Sequence, residues 1–167
     1  MPKLHLVEGP VGSGKSTFAK SLALQTNGVH IPLDEWFSRL FSPDRPEVNL
    51  MLWYAERKKR LHELIWSHAR DILASGTDAI LELGLIERQA RIEFCQRVSG
   101  EGAELVVHVL DLPREIRRER VRRRNIEKGP TFSMVVPDPF FEIASNMWEA
   151  PDEAECSDFA VQFVSTS

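Results

Sequence analysis

A glycine-rich segment near the amino end of the chain has the residue types and spacing of a phosphate-binding loop. Residues 9–16 read Gly-Pro-Val-Gly-Ser-Gly-Lys-Ser, which fits the pattern Gly, four residues, Gly-Lys-Ser/Thr. In such a loop the glycines let successive backbone N–H groups surround a phosphate, while the lysine adds a cation and the serine hydroxyl suits Mg²⁺. The residues expected to bind nucleotide phosphates are Gly9, Gly12, Ser13, Gly14, Lys15, Ser16 and Thr17, with Ser16 also a metal ligand.

Two other interpretations of this loop compete with phosphate binding. A glycine-rich turn can simply connect a strand to a helix, but that role requires neither Lys15 nor Ser16. A dinucleotide-binding loop also follows a first strand, and Asp34 lies about 20 residues further on, where that fold keeps a ribose-binding carboxylate. The third glycine of the dinucleotide pattern would fall at Thr17, however. Binding of nucleotide phosphates is therefore the favoured hypothesis.

Two acidic residues stand where apolar runs end or are interrupted. Asp34 directly follows the run 29–33, and a carboxylate at the end of a central strand can accept the proton of an acceptor hydroxyl. Asp34 could also cap a helix over 35–41, and the two roles are compatible. Glu82 lies within the run 79–83, where an ionised carboxylate is costly unless a metal ion or an arginine compensates it.

Residues 114–128 form a strongly basic segment, with eight arginines and lysines against three glutamates. Arg120 and Arg124 are four residues apart, so they share one face of the predicted helix. A nucleic acid could use the whole segment as a phosphate track, but no aromatic residues are interleaved with the arginines. Nucleic acid is therefore a less favoured partner than a small molecule.

The alternation of apolar runs with helical patterns predicts the secondary structure. Short apolar runs predict strands at 3–7, 29–33, 79–83, 105–110 and 159–164. Helical spacing and helix-end signals predict helices from 15 to the Asn27-Gly28 cap and at 35–41, 61–73, 87–98, 114–128 and 139–148. Strands that alternate with helices form a parallel sheet with right-handed crossovers. The predicted fold class is α/β.

With this loop and these elements, the chain resembles the P-loop nucleoside triphosphatases over nearly its whole length. Within them it is most similar to the small P-loop kinases, in the group with zeta-toxin-like, chloramphenicol-phosphotransferase-like and gluconate-kinase-like enzymes. The resemblance implies a three-layer fold in which a five-stranded, mainly parallel sheet has helices on both faces. It also implies a short lid, at about residues 114–136, and ATP with Mg²⁺ as the cofactors.

The resemblance implies roles for several residues. In this group an acidic residue ends the second strand, an arginine-containing helix follows the fourth, and a fifth strand leads to the adenine-binding loop. Asp34, Arg120–Arg124 and Phe159–Ser167 match these features in turn. Arg120 and Arg124 would close over ATP and stabilise charge on the transferring phosphoryl group. Glu82 matches the position of an acidic Mg²⁺ helper, although aspartate is more usual there.

The acceptor pocket of related kinases lies where the second strand ends and the next helices begin. Aromatic residues cluster there, and most aromatic residues at helical spacing belong to a core. We expect Trp36, together with Asp34, to touch substrate, with Arg39 and Arg88 as polar contacts. No metal-ligand spacing occurs among His5, His30, His62, His68 and His108, which are expected to be structural or exposed.

Composition limits the remaining possibilities. The chain has 167 residues, of which 43% are hydrophobic and 28% charged, so we expect one globular domain over 1–167 rather than a disordered or fibrous chain. No uncharged apolar run reaches the ~20 residues of a membrane span, and the first residues do not resemble a signal peptide. Cys95 and Cys156 form no Cys-x-x-Cys motif. These features predict a cytoplasmic protein without a membrane partner.

The favoured function is therefore ATP-dependent phosphoryl transfer to a hydroxyl of a small molecule. Lys15, Asp34, Arg120 and Arg124 are the expected catalytic residues, and Ser16 and Glu82 the expected metal ligands. A nucleotide-switched ATPase or GTPase is a second possibility, although the guanine signature Asn-Lys-x-Asp is absent from the sequence. A polynucleotide 5′-hydroxyl kinase is a third, suggested by the basic segment. Neither the acceptor nor the oligomeric state follows from the sequence.

Overall fold

The computed structural model describes residues 1–130 and 132–165, and over these ranges strands alternate with helices. The strands are β1 (Lys3–Glu8), β2 (Val29–Pro32), β3 (Ala79–Glu82), β4 (Glu104–Leu110) and β5 (Val161–Val164). The α-helices are α1 (Lys15–Thr26), α2 (Leu33–Leu40), α3 (Leu50–Ala74), α4 (Arg88–Gly100), α5 (Arg114–Glu127), α6 (Asp138–Met147) and α7 (Glu153–Asp158). A 3-10 turn, Ser42–Asp44, separates α2 from α3.

The five strands form one parallel sheet in the order β2-β3-β1-β4-β5. The central strand β1 pairs with β3 on one side and β4 on the other, so that Leu6 lies opposite Leu81 and Val107. All carboxyl ends of the strands therefore meet at one edge, where open α/β sheets bind their ligands. The predicted α/β fold with a five-stranded parallel sheet is confirmed.

Alternate residues of β1 supply two cores, one on each face of the sheet. Leu4 and Leu6 are fully buried in the larger core, against residues of α3 and α4. Val7 points to the opposite face, where it packs with Ala19 of α1. Helices thus cover both faces, as predicted, and a strand buried on both faces explains the near-continuous apolar runs in the sequence.

Three local features differ from the sequence prediction. Asp34 does not cap a helix, because α2 begins two residues earlier than predicted, at Leu33, with Pro32 in the capping position. Helix α3 begins at Leu50, well before Leu61, because Trp53 of its first turn packs edge-on against the buried ring of α2. Helix α7 was not predicted, since six residues are too few to show a helical pattern.

Two sequence-based expectations extend beyond the described residues. Thr131 lies within the expected lid at 114–136, and Thr166 and Ser167 lie within the expected adenine-binding segment; these three residues are outside the described ranges. Within 1–130 and 132–165, no helix combines the length and the apolar character that crossing a membrane requires.

Candidate active site

The loop between β1 and α1 has the backbone shape that its glycines predict. A Cβ added to Gly9 would lie 2.1 Å from the backbone oxygen of Leu110 in β4, so no side chain fits there. Gly12 has a φ of +81°, in the left-handed region, and a Cβ there would lie 2.8 Å from the backbone oxygen of Arg117. Both glycines are therefore required by the close approach of neighbouring strands and helices.

Lys15, the first residue of α1, turns back over this loop. Its Nζ donates to the backbone oxygens of Gly9 at 2.8 Å and Pro10 at 3.2 Å. Burial lowers the pKa of Lys15, while the nearby carboxylates Glu8, Glu82 and Asp34 act in the opposite direction. The charges of three acidic side chains, from three different elements, therefore act on the Lys15 ammonium group at the carboxyl edge of the sheet.

Glu82, the last residue of β3, contacts the first turn of α1. Its Oε2 accepts a hydrogen bond from Ser16 Oγ at 3.3 Å and lies 2.9 Å from His30 Nε2 on β2. Its Oε1 is buried and has no hydrogen-bond partner among the described residues. The sequence left a metal ion or an arginine as the partner of Glu82; in the structure a histidine takes the place of the arginine.

These contacts suit a hard divalent cation. A carboxylate oxygen without a partner and a serine hydroxyl, both at the loop that would hold phosphates, are the oxygen ligands that Mg²⁺ takes in proteins. Sequence reasoning did not find the contact of His30 with this carboxylate, because it joins neighbouring strands 52 residues apart in the chain.

Asp34 lies in the first turn of α2, at the same edge of the sheet, with an exposed side chain. Burial lowers the pKa of Arg124, and the charge of Asp34 opposes that effect. Burial raises the pKa of Tyr54 to about 12, and the charge of Asp34 adds to the rise. Asp34 is therefore close enough to Lys15, Arg124 and Tyr54 of α3 for its charge to act on all three.

A cleft of about 290 Å³ separates the glycine-rich loop from α5. Gly12, Gly14 and Thr17 line one wall. Arg120, Arg123 and Arg124 line the other, and we name these three residues the cleft face of α5. Arg120 Nη1 lies 3.6 Å from the position of a Cβ on Gly14, and Arg124 Nε is buried with no partner among the described residues. The structure thus brings both sequence-predicted arginines to the phosphate loop.

Other arginines of α5 bind acidic side chains, chiefly those of α6. Arg114 and Arg118 both contact Glu142, and Arg122 contacts Asp138 at 2.7 Å. We name Arg114, Arg118 and Arg122 the paired face of α5. From the sequence we expect some arginines outside the Arg120–Arg124 pair to face solvent; Arg114 and Arg122 are indeed partly exposed, and acids on the next helix pair with all three residues of this face.

Arg117 is a buried arginine that joins the glycine-rich loop to α6. Its guanidinium donates to the backbone oxygens of Val11 and Leu112, each at 3.0 Å, and to Ser145 Oγ at 3.0 Å. It also lies 5.5 Å from the ring centre of Phe141. Sequence reasoning did not single out Arg117, because nothing in a run of arginines distinguishes the one that points inward.

Glu8 is a second residue that sequence reasoning missed. It ends β1 immediately before the loop, is fully buried, and accepts a hydrogen bond from the backbone N–H of Leu85 at 3.1 Å. Burial raises the pKa of Glu8 to about 8, although the charges of Lys15, Arg91 and Lys58 act to lower it. An acidic residue at the end of an apolar strand was the available signal, as it was for Glu82.

The expected substrate contacts have different positions. Trp36 is half-buried and packs near His68, with ring centres 6.5 Å apart, and Arg39 is exposed near the end of α2. Arg88 is committed elsewhere: its Nη2 donates to the backbone oxygen of Ala150 at 2.9 Å, and its guanidinium also contacts the acidic groups of Glu149 and Asp152. The structure therefore ties Arg88 to the segment before α7 and not to Asp34.

The sequence of residues 4–135 matches the family described as AAA domain. This match contains the glycine-rich loop, Asp34, Glu82 and α5. The chain belongs to the AAA domain family. Its fold is that of a kinase-like P-loop domain, as the resemblance implied.

Individual relatives carry kinase names. The chain is 34% identical to a cytidylate kinase of Haloarcula marismortui over 122 residues, which are 72% of this chain and 58% of that protein. A sugar kinase from Janibacter sp. has the same fold with a TM-score of 0.65 at 17% identity, covering 98% of this chain and 85% of the other.

A third relative belongs to a larger assembly. A chain of the Pnkp1/Rnl/Hen1 RNA repair complex aligns with a TM-score of 0.67 at 23% identity. The alignment covers 95% of this chain and 46% of that one. This chain thus spans about half the length of that relative and 58% of the cytidylate kinase.

Proposed function

We propose that this protein transfers the γ-phosphoryl group of ATP to a hydroxyl of a small molecule. The observation that supports this most is the position of Asp34, whose charge acts on Lys15 and on Arg124 at the carboxyl edge of the sheet. A carboxylate beside two phosphate-binding cations is placed to deprotonate an acceptor and not to bind the phosphates itself.

In this proposal the loop holds the nucleotide. The backbone N–H groups of Gly12, Ser13 and Gly14 and the ammonium of Lys15 bind the β- and γ-phosphates. Ser16 and Glu82 hold Mg²⁺, which supplies charge neutralisation on the phosphate oxygens. Catalysis consists mainly of positioning and of electrostatic stabilisation, because phosphoryl transfer needs little covalent chemistry from the protein.

The transfer step uses Asp34 and the cleft face of α5. The acceptor oxygen forms a bond to the γ-phosphorus as the bond from that phosphorus to the bridging β,γ oxygen breaks, and ADP leaves. The acceptor proton passes to the Asp34 carboxylate. Arg120 and Arg124 stabilise the negative charge on the oxygens of the transferring group.

Two substitutions test this assignment. Lys15→Ala should abolish binding of a non-hydrolysable ATP analogue in calorimetry. Asp34→Asn should leave that binding largely intact and slow transfer by about 10²-fold or more, the usual contribution of a general base. Glu35→Gln is the matched control, because Glu35 is also exposed in the first turn of α2. Unchanged transfer in Asp34→Asn would remove the proposed base.

The acceptor is found first by a thermal-shift screen. Hydroxylated metabolites, antibiotics and nucleosides are added to the protein with the ATP analogue and Mg²⁺ present. A ligand that binds only the native state raises the melting temperature. Compounds that raise it are then tested for ADP formation with the wild-type protein and with Asp34→Asn.

A second candidate acceptor is the 5′-hydroxyl of RNA. Two observations favour it: the arginines of the cleft face, and the similarity in fold to a chain of an RNA repair complex. The ion pairs of the paired face weaken it, because they leave fewer arginines free to contact a phosphate backbone. Oligonucleotide binding that weakens steeply with salt would support RNA, and no binding at low salt would exclude it.

A further inference from the structure

A lysine of α3 reaches the carboxyl edge of the sheet near Tyr54 and Gly84. Lys58 follows Tyr54 by one helical turn, and its Nζ lies 5.9 Å from the Tyr54 ring centre. The same ammonium lies 3.7 Å from the position of a Cβ on Gly84, just after β3. Its charge also opposes the rise that burial causes in the pKa of Glu8, at the end of β1. Lys58 therefore lies near the carboxyl ends of β1 and β3.

Lys58 combines partial burial with the lack of a hydrogen-bonded or ionic partner, whereas Lys59 and Lys128, which also lack one among the described residues, are exposed. Lys3 is paired with Glu104 at 3.3 Å, and Lys20 donates to the backbone oxygen of Pro130 at 3.0 Å. Across residues 1–130 and 132–165, no carboxylate oxygen lies within 4.0 Å of Lys58 Nζ and no acceptor is hydrogen-bonded to it. The side chain is nevertheless half-buried, unlike that of its neighbour Lys59.

The surroundings leave room for a ligand at this ammonium. Gly84 has a φ of +64°, which favours glycine, and its lack of a side chain keeps the space next to Lys58 Nζ open. Tyr54 links this position to Asp34, whose charge helps to raise the Tyr54 pKa. An acceptor whose hydroxyl is bound at Asp34 would therefore extend along Tyr54 towards Lys58.

We propose that Lys58 binds an anionic group of the acceptor, so that the substrate is a hydroxyl compound that carries a phosphate or a carboxylate. This inference rests on the proposed function, because it assigns the other end of the same acceptor. An ammonium is a compact point charge that binds either anion. A half-buried cation without a carboxylate partner prefers such a ligand to a neutral one.

The test follows the Lys58 side chain directly, by NMR of the lysine ¹³Cε groups in the full chain. The ATP analogue and Mg²⁺ are present at saturation, which occupies the phosphate loop. Sodium phosphate and sodium acetate are each titrated against sodium chloride at equal ionic strength. We expect either anion to shift the Lys58 signal more than the Lys59 signal, and the more effective one identifies the anionic group.

Paired ligands then measure selectivity. Cytidine 5′-monophosphate is compared with cytidine, and gluconate with glucose. The charged member of at least one pair should bind about tenfold more tightly, as one charged hydrogen bond predicts. Lys58→Met should abolish that preference, Lys58→Arg should retain part of it, and Lys59→Met should leave it unchanged.

The possible outcomes separate this inference from the proposed function. If the ATP analogue binds but no anion shifts Lys58 more than Lys59, Lys58 only offsets the charge of Glu8 and the inference is wrong. A charge preference that persists in Lys58→Met overturns it as well. If the ATP analogue itself does not bind in calorimetry, the proposed function fails and the inference fails with it, whatever the response of Lys58 to anions.

Discussion

On the paired face of α5, Arg114, Arg118 and Arg122 bind acidic groups of α6, whereas on the cleft face Arg120 and Arg124 point to the glycine-rich loop. The residue type is the same on both faces, and so is the helix. The difference lies in the acids that each face meets: α6 supplies Asp138 and Glu142 to one face. The neighbours of an arginine, and not its position in a basic run, thus decide whether it is paired with an acid or faces the cleft at the glycine-rich loop.

The arginines of the two faces should also differ in how strongly their charges interact with other charged groups. The paired face is solvent-exposed to a large degree, and exposed ion pairs contribute little to stability. Arg124 on the cleft face is partly buried, and its Nε has no partner. A cation that water screens less interacts more strongly with a phosphate. Substitutions should therefore affect transfer on one face and only folding on the other.

The largest expected difference in transfer rate is between Arg124→Ala and Arg122→Ala. Loss of a preorganised donor to the transition state slows transfer by about 10²- to 10³-fold, so Arg124→Ala should fall in that range. Arg122→Ala should leave the rate nearly unchanged, since Asp138 is the one hydrogen-bond partner of Arg122 among the described residues. Turnover measured at saturating ATP checks both. Equal losses in the two variants would contradict the division into faces.

Arg117→Ala should have the next largest effect, because Arg117 lies between the faces and holds the loop itself. Its removal leaves the backbone oxygen of Val11 and the hydroxyl of Ser145 without a donor. Each unpaired buried group costs about 1–3 kcal/mol, so we expect a lower melting temperature and weaker binding of the ATP analogue. Arg117→Lys should restore part of the binding.

Ser145→Ala is the matched control for that prediction. It removes the hydrogen bond from Arg117 to Ser145 of α6 but leaves the hydrogen bond to Val11 in the loop. The melting temperature should fall, whereas the affinity for the ATP analogue should not change. If Arg117→Ala binds the analogue as tightly as the wild-type protein does, Arg117 has no role in positioning the loop.

A smaller effect is expected from Glu142→Gln on the paired face. Glu142 accepts hydrogen bonds from Arg114 and Arg118, so neutralising it weakens two contacts between α5 and α6. We expect a small decrease in melting temperature that disappears at high salt, because salt screens exposed charges. The transfer rate should stay at the wild-type value. A large loss of activity would show that the paired face also supports catalysis.

The smallest expected effect is a dependence on acidic pH. The hydrogen bond from Arg122 lowers the pKa of Asp138 below its ordinary value of 3.8. A lowered carboxyl pKa stabilises the folded state above pH 3.8, and this contribution is lost as the pH falls through the lowered value. Acid unfolding of Asp138→Asn should therefore show less pH dependence over this interval than the wild-type protein. Identical acid-unfolding curves would contradict the pairing of Arg122 with Asp138.

The glycine-rich loop and the order of strands and helices followed from the sequence, whereas several residues around the loop did not. Loop geometry is local, since eight consecutive residues contain the pattern. Arg117, by contrast, contacts Val11 from 106 residues away, and His30 contacts Glu82 from 52 residues away. No spacing rule connects such pairs, because the sheet order and the helix positions bring them together.

Arg88 shows that the sequence can also suggest a substrate contact for a side chain that the fold uses elsewhere. From the sequence it is expected to be a polar contact of the substrate, yet its donors are used by the segment 149–152. Only the position of that segment in the fold shows that Arg88 is already bound.

By itself, the sequence determined a phosphate-binding loop between a strand and a helix and a parallel α/β sheet, because glycine spacing and apolar periodicity act between near neighbours in the chain. The tertiary structure alone decided which arginines of α5 are neutralised, which carboxylates gather around Lys15, and where Lys58 points. The physical reason is that charges and hydrogen bonds depend on distance in space, and that distance is set when the elements pack together.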